Sequence, residues 1–118
     1  MSTLTAGREI AADCCAPLMG EGLSPEEAGA TASLFKALSD PTRVRIVNLL
    51  AGSPEPVCLC DINSGFELSQ PTLSHHLKKL VAAGLLTREQ RGTWAFYSIN
   101  EEALRRLSDV VGQRVIAS

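Results

Sequence analysis

The chain has 118 residues, 45% of them apolar and 20% charged, which is one domain's worth: enough for a core, small for an enzyme. A net charge of −2 excludes a general basic coat, so any nucleic-acid contact has to come from a local patch. No apolar run is long enough for a bilayer, and the first residues lack the basic region and apolar core of a secretion signal; the expectation is a cytoplasmic protein whose four cysteines serve metal or redox chemistry rather than structural disulfides.

Residues 1–22 show no clean period and end in the loop-like GEGLSP, which reads as an N-terminal arm carrying the adjacent pair Cys14 and Cys15. Residues 23–118 read as the folded domain. Ser24-Pro25-Glu26-Glu27 is a strong helix opening, with a cap, a proline in the first turn and a glutamate completing a capping box. That helix runs to about Leu38, with Ala28, Ala32, Phe35 and Leu38 at helical spacing. Asp40-Pro41 repeats the cap-proline signal, and the second helix presents Val44, Ile46, Val47, Leu49 and Leu50 before ending near Ala51-Gly52. Pro54 and Pro56 stiffen the loop that follows, because each disfavours helix at the residue before it. Val57–Gly65 reads as a short helix at most.

Ser69–Leu80, SQPTLSHHLKKL, organises the rest. Ser69 caps, and Pro71 sits in the first turn, where a missing N–H costs little. At about 100° per residue, Leu77, Leu80 and Val81 fall within about 80° of Leu73, whereas Thr72, His75, Lys78 and Lys79 fall on the far side. One stripe is apolar; the other carries hydroxyl, imidazole and ammonium groups suited to phosphates and to base edges in a major groove. A solvated surface face is the plainer reading of such a helix, and its neighbours decide between the two. Ser69–Gly92 carries Lys78, Lys79, Arg88 and Arg91 against Glu89, a net +3, while residues 1–40 sum to −4. This asymmetry fits a nucleic-acid face on an acidic remainder.

Leu85–Gln90 and Thr93–Ile99 read as two strands around Arg91-Gly92, a hairpin whose basic tip can lie on phosphates. Trp94, Phe96 and Tyr97 read as packing within this wing rather than as a base-stacking platform. Asn100 caps a last helix whose stripe of Leu104, Leu107, Val111 and Val115 has no later partner. First and last helices are therefore expected to pack on each other and on a second copy. The predicted fold is mainly α with a β-hairpin, a winged helix-turn-helix in the order α-α-α-α-β-β-α, assembled as a homodimer. The expected DNA contacts are Ser69, Gln70, Thr72, Ser74, His75, Lys78 and Lys79, with Arg88, Arg91 and Thr93 from the wing. Arg43 and Arg45 read as surface charges, with one of them a possible phosphate contact.

FKALSDPTRVRIVNLL, SQPTLSHHLKKLVAAGLL and RGTWAFYSI together resemble the ArsR/SmtB family of metal-responsive repressors over roughly Ala32 to Ile99. The resemblance implies a homodimer that binds an inverted-repeat operator in double-stranded DNA and leaves it when a metal or metalloid binds. It also implies a ligand site at Cys58 and Cys60, where the chain reads CLCDI against the family's CVCDL, completed by cysteines of the arm, here Cys14 and Cys15. In a regular helix, residues two apart diverge by about 200°. In an extended segment they point the same way. Chelation by both thiolates thus predicts an extended or frayed Val57–Cys60.

Thiolates favour thiophilic centres. Three suit pyramidal As(III) or Sb(III), the preferred inducers; four suit Cd(II), Pb(II) or Zn(II). The adjacent Cys14-Cys15 pair gives two sulfurs to a pyramidal centre more easily than it spans two tetrahedral positions, and the third thiolate is Cys58 or Cys60. The family's zinc-type sensors place Asp and His on the last helix; residues 101–118 hold no histidine. His75 and His76 diverge too far to share an ion. A rival is a thiol switch on the same fold, with Cys14 or Cys15 oxidised to Cys58 or Cys60. An enzyme is disfavoured: C-x-x-C is absent and neither histidine is placed as a base.

Overall fold

A computed structural model describes residues 22–112. Cys14, Cys15, Val115 and the extent of the expected arm lie outside them. The elements are α1 (Pro25–Ala37), α2 (Pro41–Ala51), β1 (Val57–Cys58), α3 (Leu59–Ser64), α4 (Gln70–Ala82), β2 (Leu86–Arg91), β3 (Trp94–Ile99) and α5 (Glu101–Gly112). This is the winged helix-turn-helix, with one addition to the predicted order: a two-residue strand before the short helix.

The helix starts obey local chemistry. The Ser24 hydroxyl accepts from the Glu27 amide while the Glu27 carboxylate accepts from the Ser24 amide, closing the capping box. Asp40 Oδ1 accepts from the amides of Thr42 and Arg43 at 2.8 and 3.2 Å. Ser69 Oγ accepts from Thr72 N at 3.3 Å. Asn100 caps α5, its Oδ1 taking the Glu102 and Ala103 amides, and its Nδ2 donates to Gly84 O at 2.8 Å, stitching the end of β3 to the turn after α4. Gly84 (φ +89°) lets the chain reverse there.

Ile46, Leu50, Ile62, Leu73, Leu77, Leu80, Leu85 and Leu86 are almost wholly buried, so one core joins α2, α3, α4 and the base of the wing. The helical stripe expected on α4 is the one that is buried. On α1 it is not: Thr31 and Leu34 face inward, while Ala28, Ala32 and Phe35 stay exposed. The Thr31 hydroxyl is affordable inside because it donates to Glu27 O at 2.7 Å. Val44 and Leu49 on α2, and Val110 and Val111 on α5, are exposed as well, Val111 at 72%. α1 packs against α5, so much of this uncovered apolar surface flanks one helix pair.

The sheet has the antiparallel order β1-β3-β2. Arg91 pairs with Trp94 across a two-residue loop whose first member, Gly92, has φ +63°, a backbone that β-branched or bulky residues resist. Val57 pairs with Tyr97 and Cys58 with Phe96, which ties the segment before α3 to the inner strand of the wing.

Candidate nucleic-acid interface and thiol site

Cys58 is where the strand ends and α3 begins. Its backbone is extended (φ −65°, ψ 143°), and its sulfur accepts from Cys60 N at 3.4 Å as the helix cap. The expected extended Val57–Cys60 is thus only half met: Val57 and Cys58 are extended while Leu59 and Cys60 already belong to α3, yet the two sulfurs stand 2.7 Å apart because Cys58 sits at the cap. Cys58 is buried and Cys60 exposed. The hydrogen bond with Cys58, reinforced by burial and by the charge of Asp61, pushes the Cys60 thiol above its usual range. The Cys60 thiol thus favours its protonated form until something replaces the proton. Among the described residues no three His, Cys, Asp or Glu side chains gather into a group that could hold a metal ion.

Cys60 opens into a cleft of about 350 Å³ between α3, the start of α4 and the wing, lined by Leu59, Asn63, Gln70, Arg88, Gln90, Thr93, Trp94 and Ala95. Three expected DNA contacts, Gln70, Arg88 and Thr93, therefore share one cleft with a thiol. Arg88 is steadied by Gln90, to whose Oε1 it donates at 2.7 Å, and Gln90 in turn donates to Gly92 O at 3.0 Å.

The other expected contacts divide into two groups. Thr72, His75 and Lys78 are exposed on the outer face of α4, with Ser74 half-buried beside them. Ser69 is exposed but engaged, donating its hydroxyl to Thr72 Oγ1 at 2.9 Å while it caps the helix. Lys79 is exposed too, and it borders a second cleft with Lys36 and Arg43. At the wing tip Arg91 lies 4.5 Å from the Phe96 ring centroid and pairs with Glu89 at 3.0 Å. That bond and the Arg91 charge hold the Glu89 carboxyl below the usual glutamate range. This exposed pair is weak enough to yield to a phosphate.

Arg43 is more than a surface charge. Its Nε donates to Ala37 O at 2.6 Å, and its Nη1 lies 3.3 Å from His76 Nδ1. A guanidinium only donates, so this geometry needs His76 to present Nδ1 as an acceptor. Arg43 thereby ties the end of α1 to α4, and His76 serves positioning. Arg45 lies over the Phe66 ring at 4.6 Å. Trp94 departs from the packing expected of it: at 57% exposure it stands out from the hairpin, because Ala95 and Tyr97 take the inward positions of β3. Leu59, Asn63, Gln90 and Ala95 are the cleft residues that sequence reasoning passed over, and Trp94 was given to packing although alternation along β3 was a signal against it.

Residues 40–88 match the family described as bacterial regulatory protein, arsR family. The chain is 42% identical over 73 residues to the arsenical resistance operon repressor of Bacillus subtilis, covering 62% of this chain and 69% of that protein. It is 38% identical over 89 residues to a cadmium resistance transcriptional regulatory protein CadC homolog of Staphylococcus aureus, covering 74% and 73%. A solved homodimeric winged helix-turn-helix DNA-binding domain from Mycobacterium bovis superposes with a TM-score of 0.61 at 28% identity, over 75% of this chain and 84% of that one. No helix among the described residues is long and apolar enough to cross a membrane. The chain belongs to the ArsR family of bacterial regulatory proteins, whose members are DNA-binding transcriptional regulators rather than enzymes.

Proposed function

We propose that this regulator is a cytoplasmic metalloid-responsive repressor: a homodimer that holds an inverted-repeat operator and releases it when As(III) or Sb(III) binds its cysteine thiolates. The observation that carries the reading is the junction at Cys58, where two convergent sulfurs stand against the helix that supports α4 and open into the cleft of Gln70, Arg88 and Thr93. Relatives named for arsenical resistance support it.

In the ligand-free dimer, α4 enters the major groove with Gln70, Thr72, Ser74, His75 and Lys78 toward the DNA, Ser69 and Lys79 at its ends, and Arg88, Arg91 and Thr93 on the backbone. The second copy covers the exposed apolar surface of α1 and α5, which spaces the two α4 helices for half-sites about one helical turn apart. In place of the expected set of Cys14, Cys15 and one of Cys58 or Cys60, the converging sulfurs favour both Cys58 and Cys60 as ligands, with Cys14 or Cys15 closing the pyramid. Because Cys58 caps α3 and pairs with Phe96, drawing its sulfur toward the arm shifts α3 and the wing together. A site coupling of about 1–3 kcal/mol, a 5- to 150-fold loss of operator affinity, is the ordinary scale of such an effect.

Cd(II) or Pb(II) bound by all four thiolates is the second reading, favoured by the cadmium-resistance relative. The peroxide-driven disulfide switch is less favoured, because the raised Cys60 thiol is a poor thiolate. Operator release measured side by side against As(III), Sb(III), Cd(II), Pb(II), Zn(II) and peroxide tests all three. Arsenite or antimonite is expected to act at the lowest concentration; release by peroxide with none by arsenite refutes the proposal.

A further inference from the structure

A second cleft, of about 280 Å³, opens where the ends of α1 and α4 meet the start of α2. Lys36, Arg43 and Lys79 line it together with Ser33 and three alanines, so no carboxylate faces it. Among the described residues neither lysine is paired with an acid. The plain reading is that Lys36 and Lys79 answer the negative C-terminal ends of their own helices. Two helix ends amount to only about one unit of charge. Asp40 spends its Oδ1 on the Thr42 and Arg43 amides at the start of α2, where the positive helix end takes up about half of its charge. Set against three cations, these leave roughly one and a half positive charges over. Arg43 is also held ready: its bonds to Ala37 O and His76 Nδ1 spend two of its five N–H groups, and three remain.

The place of this cleft decides its partner. Gln70 and Lys79 stand nine residues apart on α4, which is about 180° around a helix. Gln70 lines the cleft on the wing side, so Lys79 and its cleft lie on the other flank. A helix about 10–12 Å across fills a major groove about 12 Å wide, which sets one sugar–phosphate backbone against each flank. We propose that Lys36, Arg43 and Lys79 form a clamp for the phosphodiester backbone that borders the groove on the side away from the wing. The proposal rests on the reading of α4 as the groove-binding helix, and it adds α1 and α2 to a DNA surface drawn so far from α4 and the wing. Lys36 belongs to the helix that packs against α5, so the clamp anchors that helix pair to the duplex. Its contribution is register and orientation rather than sequence preference.

The test is fluorescence anisotropy of the full chain on a labelled random-sequence duplex and on labelled operator across a salt series. The native chain is compared with Lys36→Gln, Lys36→Arg and, as a wing control, Arg88→Gln. Lys36 is exposed, so the fold should persist, and urea unfolding checks this. One phosphate contact contributes about 0.9 to the slope of log K against log salt. Lys36→Gln should lower the slope by that amount on both duplexes, so the native-to-variant affinity ratio grows about 3.5-fold for a roughly fourfold drop in salt. Lys36→Arg should restore the native slope. A native slope in Lys36→Gln beside a reduced one in Arg88→Gln refutes the clamp while the repressor reading stands; an acidic protein segment filling the cleft in place of DNA gives this same result. A loss of affinity that Lys36→Arg does not restore marks a structural role and refutes the clamp equally. If the native chain binds neither duplex, the DNA reading itself falls, and the clamp with it.

Discussion

α3 is six residues long, far below the length at which a helix stands unaided, so its order depends on what it rests against. Ile62 is its one buried side chain and is wholly enclosed, sharing the core with Leu73 and Leu77 of α4. Ile62→Val removes one carbon and Ile62→Ala three. At about 0.8 kcal/mol per buried carbon these lose roughly 0.8 and 2.4 kcal/mol of transfer free energy. The cavity left behind widens the expected ranges to about 0.5–1.5 and about 2–5 kcal/mol. A domain stable by about 5–15 kcal/mol survives the first comfortably and the second in most of that range. Urea unfolding gives the stability loss, and fluorescence anisotropy on labelled operator gives ligand-free affinity well below the melting transition. If α3 sets the placement of α4, affinity falls in the order native, Val, Ala. Full operator affinity in both variants, alongside the expected loss of stability, would refute transmission through α3.

Two further tests address the DNA face and the packing beneath it. Lys78→Ala should weaken binding to specific and random duplexes alike and reduce the slope of log K against log salt by about one, as for a single phosphate contact; an unchanged slope removes Lys78 from the interface. Burial alone would raise the Asp40 carboxyl, but its bonds from the Arg43 and Thr42 amides, with the nearby Arg43 charge, outweigh burial and lower it. Its contribution is therefore complete above the usual aspartate value of about 3.9 and disappears as pH falls through the lower folded value. Asp40→Asn keeps a competent cap without the charge, so the acid limb of its stability profile below about pH 4 should be flatter than the native one. Coincident acid limbs would show that Asp40 does not titrate across that range on unfolding.

What was legible in the sequence was what local chemistry encodes. Ser24, Asp40 and Ser69 each precede a proline-containing first turn, and all three cap helices in the structure. The Leu73, Leu77 and Leu80 stripe is fixed by helical period alone. The convergence of Cys58 and Cys60 was anticipated, but by an extended Val57–Cys60; the structure achieves it with an extended cap at Cys58 and Cys60 already in the first turn of α3. The misses have the opposite character. β1 exists only through its pairing with β3, some forty residues away in sequence, and two residues carry no pattern of their own. On α1 helical period groups Ala28, Ala32 and Phe35 on one face, but period alone does not say which face meets the core: Thr31 and Leu34 do, with the Thr31 hydroxyl bonded back along its own helix. Arg43 could not be distinguished from a solvated cation, because its partners are a carbonyl and an imidazole on separate elements.

Cys58 occupies an unusual place in this architecture. It is at once the last rung of a strand ladder, the cap of the helix that follows and one of two convergent thiols. On the proposed reading no chain of intermediaries is needed between reception and response, because Cys58 would take the ligand while belonging to both parts that move. A rotation of its backbone is felt in the same instant by the wing through Phe96 and by α3 through the Cys60 amide. On that reading the signalling distance is a single residue, so input and output are set by one stretch of backbone.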